Sequence, residues 1–476
     1  MSTASSSLSS LLSSMSPSAS NIDISSILEA ATGASSSGID VTAAVNSAVT
    51  AAEAPEQAWL TEESTLQSQI SALGQIQSDA TNLDDDIQNF NSITGPLSAM
   101  TANTSDSNVV TASAASGSSV GNHEVVVNSV AKTASWTSGT YASSATAMPA
   151  GSFTITSGSG TATTITTDGT ETLADVAKVI NSDDLGVTAS VITDASGSRL
   201  AMVASSSGSA ANFTVTSSGS TNYGFTQAAT GSNASLTVDG ITISSATNTV
   251  TGVIPGVTLS LLSADPGVDV SLSVAPNTSQ VQTALQQFVT DYNQLVSDLS
   301  AQFTFSSTTG SEGVLASDST VRNLQSEVLG ALDYTNTPAS GSTTVPNLMS
   351  LGISVDDNGQ LSLDTSTLDS ALENNFSDVQ NFFQGTALNG FANSLDQQLT
   401  SFISPADGAF TVDLQSMNSQ ITDLQNDISD FQTNFIAPLQ TQLQSEYSQA
   451  EIALQELPNQ MKEIDQELGQ NNSSSG

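Results

Sequence analysis

The chain has 476 residues, of which 46 are Asp or Glu and five are Lys or Arg, so its net charge near neutral pH is −41. That balance argues against nucleic acid and anionic membrane surfaces as partners, because phosphate neutralisation needs bases. With no cysteine and a single histidine, His123, disulfide scaffolds, thiol chemistry and Cys- or His-rich metal sites are set aside as well. Hydrophobic residues make up 37%, so the chain is globular, with length for roughly two to four domains. The bases (Lys132, Lys178, Arg199, Arg322 and Lys462) are what is scarce. In an acidic medium carboxylates protonate, and many bases would leave a large positive charge. The composition is therefore read as that of a protein facing acid. Maximal stability at neutral pH with unfolding near about pH 4 would count against this reading.

The first 21 residues are Ser-rich and lack both a basic start and a sustained apolar run, so they read as a disordered leader, not a cleaved signal peptide. No stretch reaches about 18 consecutive apolar residues, so no membrane-spanning helix is expected. From Trp59 to Phe90 the apolar positions fall in two heptad columns, Leu66, Leu73, Ala80 and Ile87, and Ile76, Leu83 and Phe90. This is a coiled-coil seam or one helix of a bundle; periodicity does not separate the two. The run Asp84–Asp86 reads as a solvated face. Gly95-Pro96 ends the helix.

From about 105 to 275 the texture turns to alternating Thr, Ser, Val and Gly, as in Phe153 and Ile155, or Val268, Val270, Leu272 and Val274. Asp239-Gly240 marks a hairpin. One helix interrupts the strands, with Leu173, Val176, Ala177 and Ile180 on one face, and strands over 187–192 and 199–205 follow. After Pro276 the helical spacing returns at Val281, Leu285, Phe288, Tyr292, Leu295, Leu299 and Phe303. Shorter helices are expected over 319–332, 366–383 and 387–403. Then Leu414, Met417, Ile421, Leu424, Ile428, Phe431 and Phe435 advance in steps of 3 and 4, whereas Leu439, Leu443 and Tyr447 advance in steps of 4 only. Apolar positions continue at Leu454, Leu457, Met461, Ile464 and Leu468, and "NNSSSG" is a loose tail. Pro438 and Pro458 should each kink or stop the helix.

Candidate chemistry is sparse. "LGISVDDNGQLSLD" (351–364) starts like half a calcium loop, but counting from Asp356 puts Leu361 at the sixth position and Thr367 at the twelfth, where Gly and Glu are needed. Asn358-Gly359 between alternating apolar residues reads as a two-residue hairpin turn. "GSSVG" (117–121) places Ser119 in a nucleophile-elbow pattern, but a strand follows where a helix is required. His123 has no partner in the pattern. No phosphate loop, dinucleotide fingerprint or zinc motif is present. Nothing argues for an enzyme, and no catalytic, cofactor-binding or metal residues are assigned.

Several stretches resemble the flagellar hook-associated protein 2 family, the cap of the bacterial flagellar filament. They are "SGIDVTAAVNSAVTAAEAPEQAWLTEESTLQSQISALGQIQS" (37–78), "TLADVAKVINSDDLGVTASVITDASGSRLAMVASSSGSAANFTV" (172–215), "ASLTVDGITISSATNTVTGVIPGVTLSLLS" (234–263), "QQFVTDYNQLVSDLS" (286–300), "GVLASDSTVRNLQSEV" (313–328) and "LMSLGISVDDNGQLSLDTSTLDSAL" (348–372). The second is similar to a flagellin-type insertion motif. The resemblance as a whole covers about residues 22–468. The chain departs from the family in its Ser-rich leader, its scarcity of Lys and Arg, and Pro438 and Pro458 in the C-terminal helical segment.

The expected fold is α+β: a helical stalk from N- and C-terminal coiled-coil-like helices, with inserted antiparallel β domains. The division expected is a leader (1–21), an N-terminal leg (22–100), and an inner head domain from 101–140 and 228–276. An outer head domain (141–227), a helical stalk with a small hairpin (277–410) and a C-terminal coiled-coil leg (411–476) complete it. The resemblance implies export without a cleaved signal and an extracellular place at the filament tip. It also implies a homo-oligomer, often a pentamer, that promotes flagellin insertion. The partners it implies are flagellin, the hook-filament junction protein and a flagellar export chaperone. Leu66, Leu73, Leu83, Ile87, Leu424, Ile428 and Phe431 are the expected seam of the stalk, or intramolecular core. Tyr447, Leu454 and Leu457 are the expected filament or chaperone contacts. A secreted adhesin or phage-tip-like attachment protein is the alternative, and a hydrolase using Ser119 a remote third.

Overall fold

A computed structural model describes residues 41–158, 160–305, 307, 310–336, 343–385 and 389–472, with side chains in the last helix described as far as Ile464. The expected leader over 1–21, the start of the N-terminal leg over 22–40, and residues 473–476 of the expected tail lie outside the described residues. In chain order the elements begin with α1 (Val41–Ala52), α2 (Ala54–Asn91), β1 (Met100–Thr104), β2 (Val110–Ala114), β3 (Gly121–Ser129) and β4 (Ser135–Thr137). Next come β5 (Gly151–Thr156), β6 (Ala162–Thr167), α3 (Leu173–Ser182), β7 (Val187–Asp194), β8 (Gly197–Ala204), β9 (Thr214–Ser218) and β10 (Thr226–Ala229). After these are β11 (Ala234–Val238), β12 (Ile241–Ser245), β13 (Thr249–Thr251), β14 (Val257–Leu261), β15 (Val270–Pro276), α4 (Thr278–Phe303) and α5 (Ser319–Ala331). The chain continues through β16 (Ile353–Val355), β17 (Leu361–Leu363), α6 (Thr365–Asn374), α7 (Phe376–Gln384), α8 (Phe391–Ile403) and α9 (Ala409–Phe431). A π-helical turn (Gln432–Ile436) then leads into α10 (Ala437–Asn472). No described helix is long and apolar enough to cross a membrane.

The described residues form two compact units, one containing those up to Asn82, Gln294–Val328 and those from Gln398 onward, the other Leu83–Asn293 and Leu329–Gln397. In the second unit, a five-stranded antiparallel sheet, in the order β1-β15-β3-β11-β12, shares a core with a three-stranded sheet, β13-β14-β2. Alternation puts Leu236 and Val238 of β11, and Val270, Leu272 and Val274 of β15, into that core. The β11–β12 turn has two residues, Asp239 (φ 49°) and Gly240 (φ 79°), both left-handed, as the Asp-Gly pair predicts.

A second β core in this unit lies among the sheets β10-β4-β8-β7 and β6-β5-β9, with α3 laid on it. The four residues expected on the inner face of α3, Leu173, Val176, Ala177 and Ile180, are the four that are buried. Each of the larger ones contributes about 1.5–3 kcal/mol through burial. A capping box starts this helix: the Thr172 hydroxyl accepts from the Asp175 amide at 3.2 Å, and the Asp175 carboxylate accepts from the Thr172 amide at 3.2 Å.

The helical part of the second unit is held by aromatic rings. Phe90, near the end of α2, stacks on Phe383 of α7 at 4.6 Å, and Phe391 of α8 stacks on Phe382 at 5.5 Å. The Gln384 side-chain amide donates to the Phe90 carbonyl at 2.9 Å. Asn293 of α4 fastens the small hairpin, accepting from the Leu361 amide at 2.6 Å and donating to the Leu361 carbonyl at 2.8 Å.

Two expectations change here. The helix expected over 366–383 is two helices, broken at Asn375, whose non-helical backbone (φ −135°, ψ 32°) ends one and begins the other. The run Asp84–Asp86 is not a solvated face: Asp84 is 4% exposed and Asp86 half-buried, so only Asp85 lies open. Charge alone favours solvent for aspartate, and tertiary packing overrides that preference here.

In the first unit the long N- and C-terminal helices pack together. Trp59 of α2 meets Phe431 of α9 edge-on at 5.4 Å. Glu63 accepts from the Gln425 side chain at 2.7 Å, and Glu56 accepts from Gln432. Val45 and Val49 of α1 form a small core with Ile436, against which Phe431, Leu443 and Tyr447 lean. The Arg322 guanidinium sits 5.5 Å from the Phe303 ring and donates to the Ala316 carbonyl at 2.7 Å. The architecture is α+β as expected, with long terminal helices packed together and several antiparallel sheets between them in the chain.

Candidate functional site

The C-terminal helix carries the surface of interest. Pro458 does not stop it; α10 is continuous from Ala437 to Asn472 with Pro458 inside. Pro438 is its second residue, directly after the π-helical turn, and does not stop the helix either. The step that breaks the 3-and-4 spacing is the π turn just before it. Across the π turn Phe435 stays 43% exposed, while Ile436 is buried in the core with Val45 and Val49.

The expected seam residues fall into three settings. Leu66 and Leu73 are buried in the first unit, and Leu83 and Ile87 are buried in the second. On α9, Leu424, Ile428 and Phe431 are half-buried, Phe431 between Trp59 and Phe435, whose ring stacks on it at 5.1 Å. Tyr447 is half-buried against the small core of α1. Leu454 and Leu457 lie beyond that core, 47% and 48% exposed. Met461 and Ile464 continue them at steps of 4 and 3, at 62% and 56% exposure. A heptad-spaced apolar stripe therefore emerges from the packed part of α10 and runs along its open part. Sequence reading stopped this contact set at Leu457, although the same spacing reaches Met461 and Ile464. It also left α1 unassigned as a packing partner, although Val41, Val45 and Val49 recur every fourth residue.

The other residues singled out have structural settings. Nδ1 of His123 lies 2.7 Å from Oδ2 of Asp239, which corrects the expectation that His123 has no partner. Oδ1 of Asp239 accepts from the Glu124 amide at 2.9 Å. The partners are 116 residues apart in the chain and meet because β11 pairs with β3. His123 and then the Glu124 amide hold the Asp239 carboxyl below its usual range. Ser119 is exposed and leads into β3, and its neighbour Ser118 donates to the Ala115 carbonyl at 2.7 Å.

The Asn358-Gly359 turn is a five-residue loop, 356–360, instead of a two-residue turn. Asp356 organises it: Oδ1 accepts from the amides of Gln360 at 2.8 Å and Asn358 at 2.9 Å, and only Gly359 takes positive φ. That carboxylate serves the loop's own amides. Among the described residues no group of three or more His, Cys, Asp or Glu is placed to hold a metal ion.

Comparison with known proteins matches this architecture to one group. "Flagellar hook-associated protein 2 N-terminus" matches residues 37–134, "Flagellar hook-associated protein 2 C-terminus" matches 231–462, and "Flagellin hook IN motif" matches 152–206. The B-type flagellar hook-associated protein 2 of Pseudomonas aeruginosa is 28% identical over 443 residues, covering 85% of this chain and 90% of the relative. Flagellar hook-associated protein 2 of Aeromonas caviae is 27% identical over 393 residues, covering 77% of this chain and 83% of the relative. The crystal structure of the flagellar cap protein FliD D1-D2-D3 domains from Escherichia coli aligns with a TM-score of 0.58 at 25% identity, over 73% of this chain and 99% of that one. The class is a structural, non-enzymatic one that works by assembly at the flagellar tip. The chain belongs to the flagellar hook-associated protein 2 family, whose members cap the flagellar filament outside the cell.

Proposed function

We propose that the chain assembles with copies of itself into a closed cap, a pentamer, that promotes insertion of exported flagellin and prevents its loss. The β domains form the plate. The terminal helices contact the filament and the hook-filament junction protein, and the open part of α10 binds the export chaperone before secretion. The division into a leg (22–100), inner head (101–140 and 228–276), outer head (141–227), stalk (277–410) and C-terminal leg (411–476) follows from the same reading.

The observation that carries it is the apolar stripe Leu454, Leu457, Met461 and Ile464, exposed over two turns or more of α10. An apolar seam at heptad spacing gains stability only when a partner helix covers it. The test is light scattering and flagellin polymerisation with the full chain and with Leu454→Asp/Leu457→Asp. The expected outcome is a closed oligomer that supports filament growth, and a variant that folds but loses one or both abilities. A variant that assembles and supports growth as well as the unaltered chain would sink the role given to α10.

A further inference from the structure

The run Asp84-Asp85-Asp86 lies in the last turns of α2, and two of its three carboxyls turn inward. Oδ2 of Asp84 accepts from the Gln88 side chain at 2.7 Å, while its Oδ1 is buried without a donor. The group it faces across the packing is a second carboxyl, that of Asp396 on α8. Asp86 repeats the arrangement: Oδ2 is buried without a donor, against the carboxyl of Asp291 on α4. Asp291 accepts from Gln287 at 2.9 Å on its own helix. The facing titratable groups are thus Asp396 and Asp291, with Asp85 beside them on α2. No Lys, Arg or His among the described residues is paired with any of the four; the described ion pairs are His123–Asp239 and Lys178–Asp175.

Two ionised carboxylates in contact have acceptors and no donor. One shared proton turns the same contact into a charge-assisted hydrogen bond. We propose that Asp84–Asp396 and Asp86–Asp291 are proton-sharing pairs, and that together they fasten the end of α2 to α8 and α4 in acid and loosen it towards neutral pH. Burial first, and then the second carboxyl, push Asp84 and Asp86 each up to about 7. For a group raised in the folded state, the stabilisation is complete below the unfolded value near 4 and is lost as pH rises through about 7.

Hydrogen exchange on the full chain at pH 5 and pH 8, corrected for intrinsic rates, tests this. The amides of residues 83–91 should lose about tenfold or more in protection at pH 8, corresponding to one unit or more of shift. In Asp84→Asn/Asp86→Asn, where the amide supplies the missing donor at every pH, that loss should vanish; in Asp85→Asn it should persist. An equal loss in the double variant would overturn the proposal. So would protection restored at pH 8 by added Ca²⁺ in the unaltered chain, which would make the pairs a cation site. A measurement needing no variant is the proton count on urea unfolding at pH 6. Release of about two protons per chain is expected, and release of none would overturn the proposal.

Discussion

Two parts of the second unit use aspartate in opposite ways. In the β region and the hairpin that follows it, the carboxylates stand at turns and helix starts among donors. His123 and the Glu124 amide hold Asp239, Ser196 holds Asp194, and Thr367 and Ser366 hold Asp364, each below the usual carboxylate range. Asp364 is brought down to about 2. At the end of α2, Asp84 and Asp86 are buried against other carboxyls and lie above that range. The first kind stabilises the fold above the unfolded value and loses its effect as pH falls through the lowered one. The second kind stabilises in acid and loses its effect as pH rises through about 7. The difference teaches that what completes the shell of each carboxyl sets the sign of its response; the net charge of −41 does not.

The largest perturbation should leave this contrast untouched. Phe391 is fully buried and its ring meets those of Phe288, Phe382, Phe383 and Tyr334. Phe391→Ala is expected to cost about 3–5 kcal/mol by calorimetry, equally at pH 5 and pH 8, because no charge is removed. A loss confined to one pH would show that the helical part owes its pH response to something besides its carboxyls.

Thr172→Ala removes the cap of α3 and should cost about 1 kcal/mol at neutral pH. Asp175 is held below its usual range first by the Thr172 hydroxyl, so the loss should shrink as acid protonates Asp175. Urea titrations at several pH values would read this, and a constant loss down to about pH 2 would break the account of the β region.

His123→Gln should have the smallest effect, about 0.2–1 kcal/mol, since the Asp239 side chain is 48% exposed. The sharper readout is the Asp239 carboxyl itself, followed by NMR, which should titrate nearer its ordinary value in the variant. An unchanged titration would assign its depression to the Glu124 amide alone.

Most of the fold was legible because its signals are local. The spacing of Leu173, Val176, Ala177 and Ile180 gave the face of α3, and Asp239-Gly240 gave its turn. The motifs in order gave the family. What escaped depends on contacts distant in sequence. Asp84 faces a carboxyl from α8, and His123 meets Asp239 in the β11–β12 turn; neither leaves a periodic trace. The length of the 356–360 loop also escaped, because Asp356 captures two amides that a tight turn would have left to the strands. The seam positions were legible as apolar, but spacing does not tell the buried Leu73 from the open Leu457.

The π turn over Gln432–Ile436 fixes the phase of everything after it. Each residue turns a helix by about 100°, so removing one residue there would swing the whole apolar stripe of α10 by that angle relative to α9. Ile436 would leave the α1 pocket, and Leu454 through Ile464 would aim at a new azimuth with no change in their chemistry. Along this stretch the count of residues is a tighter constraint on where the stripe points than their identity. Insertions and deletions between Phe431 and Ala437 should therefore be more damaging than substitutions at the same positions.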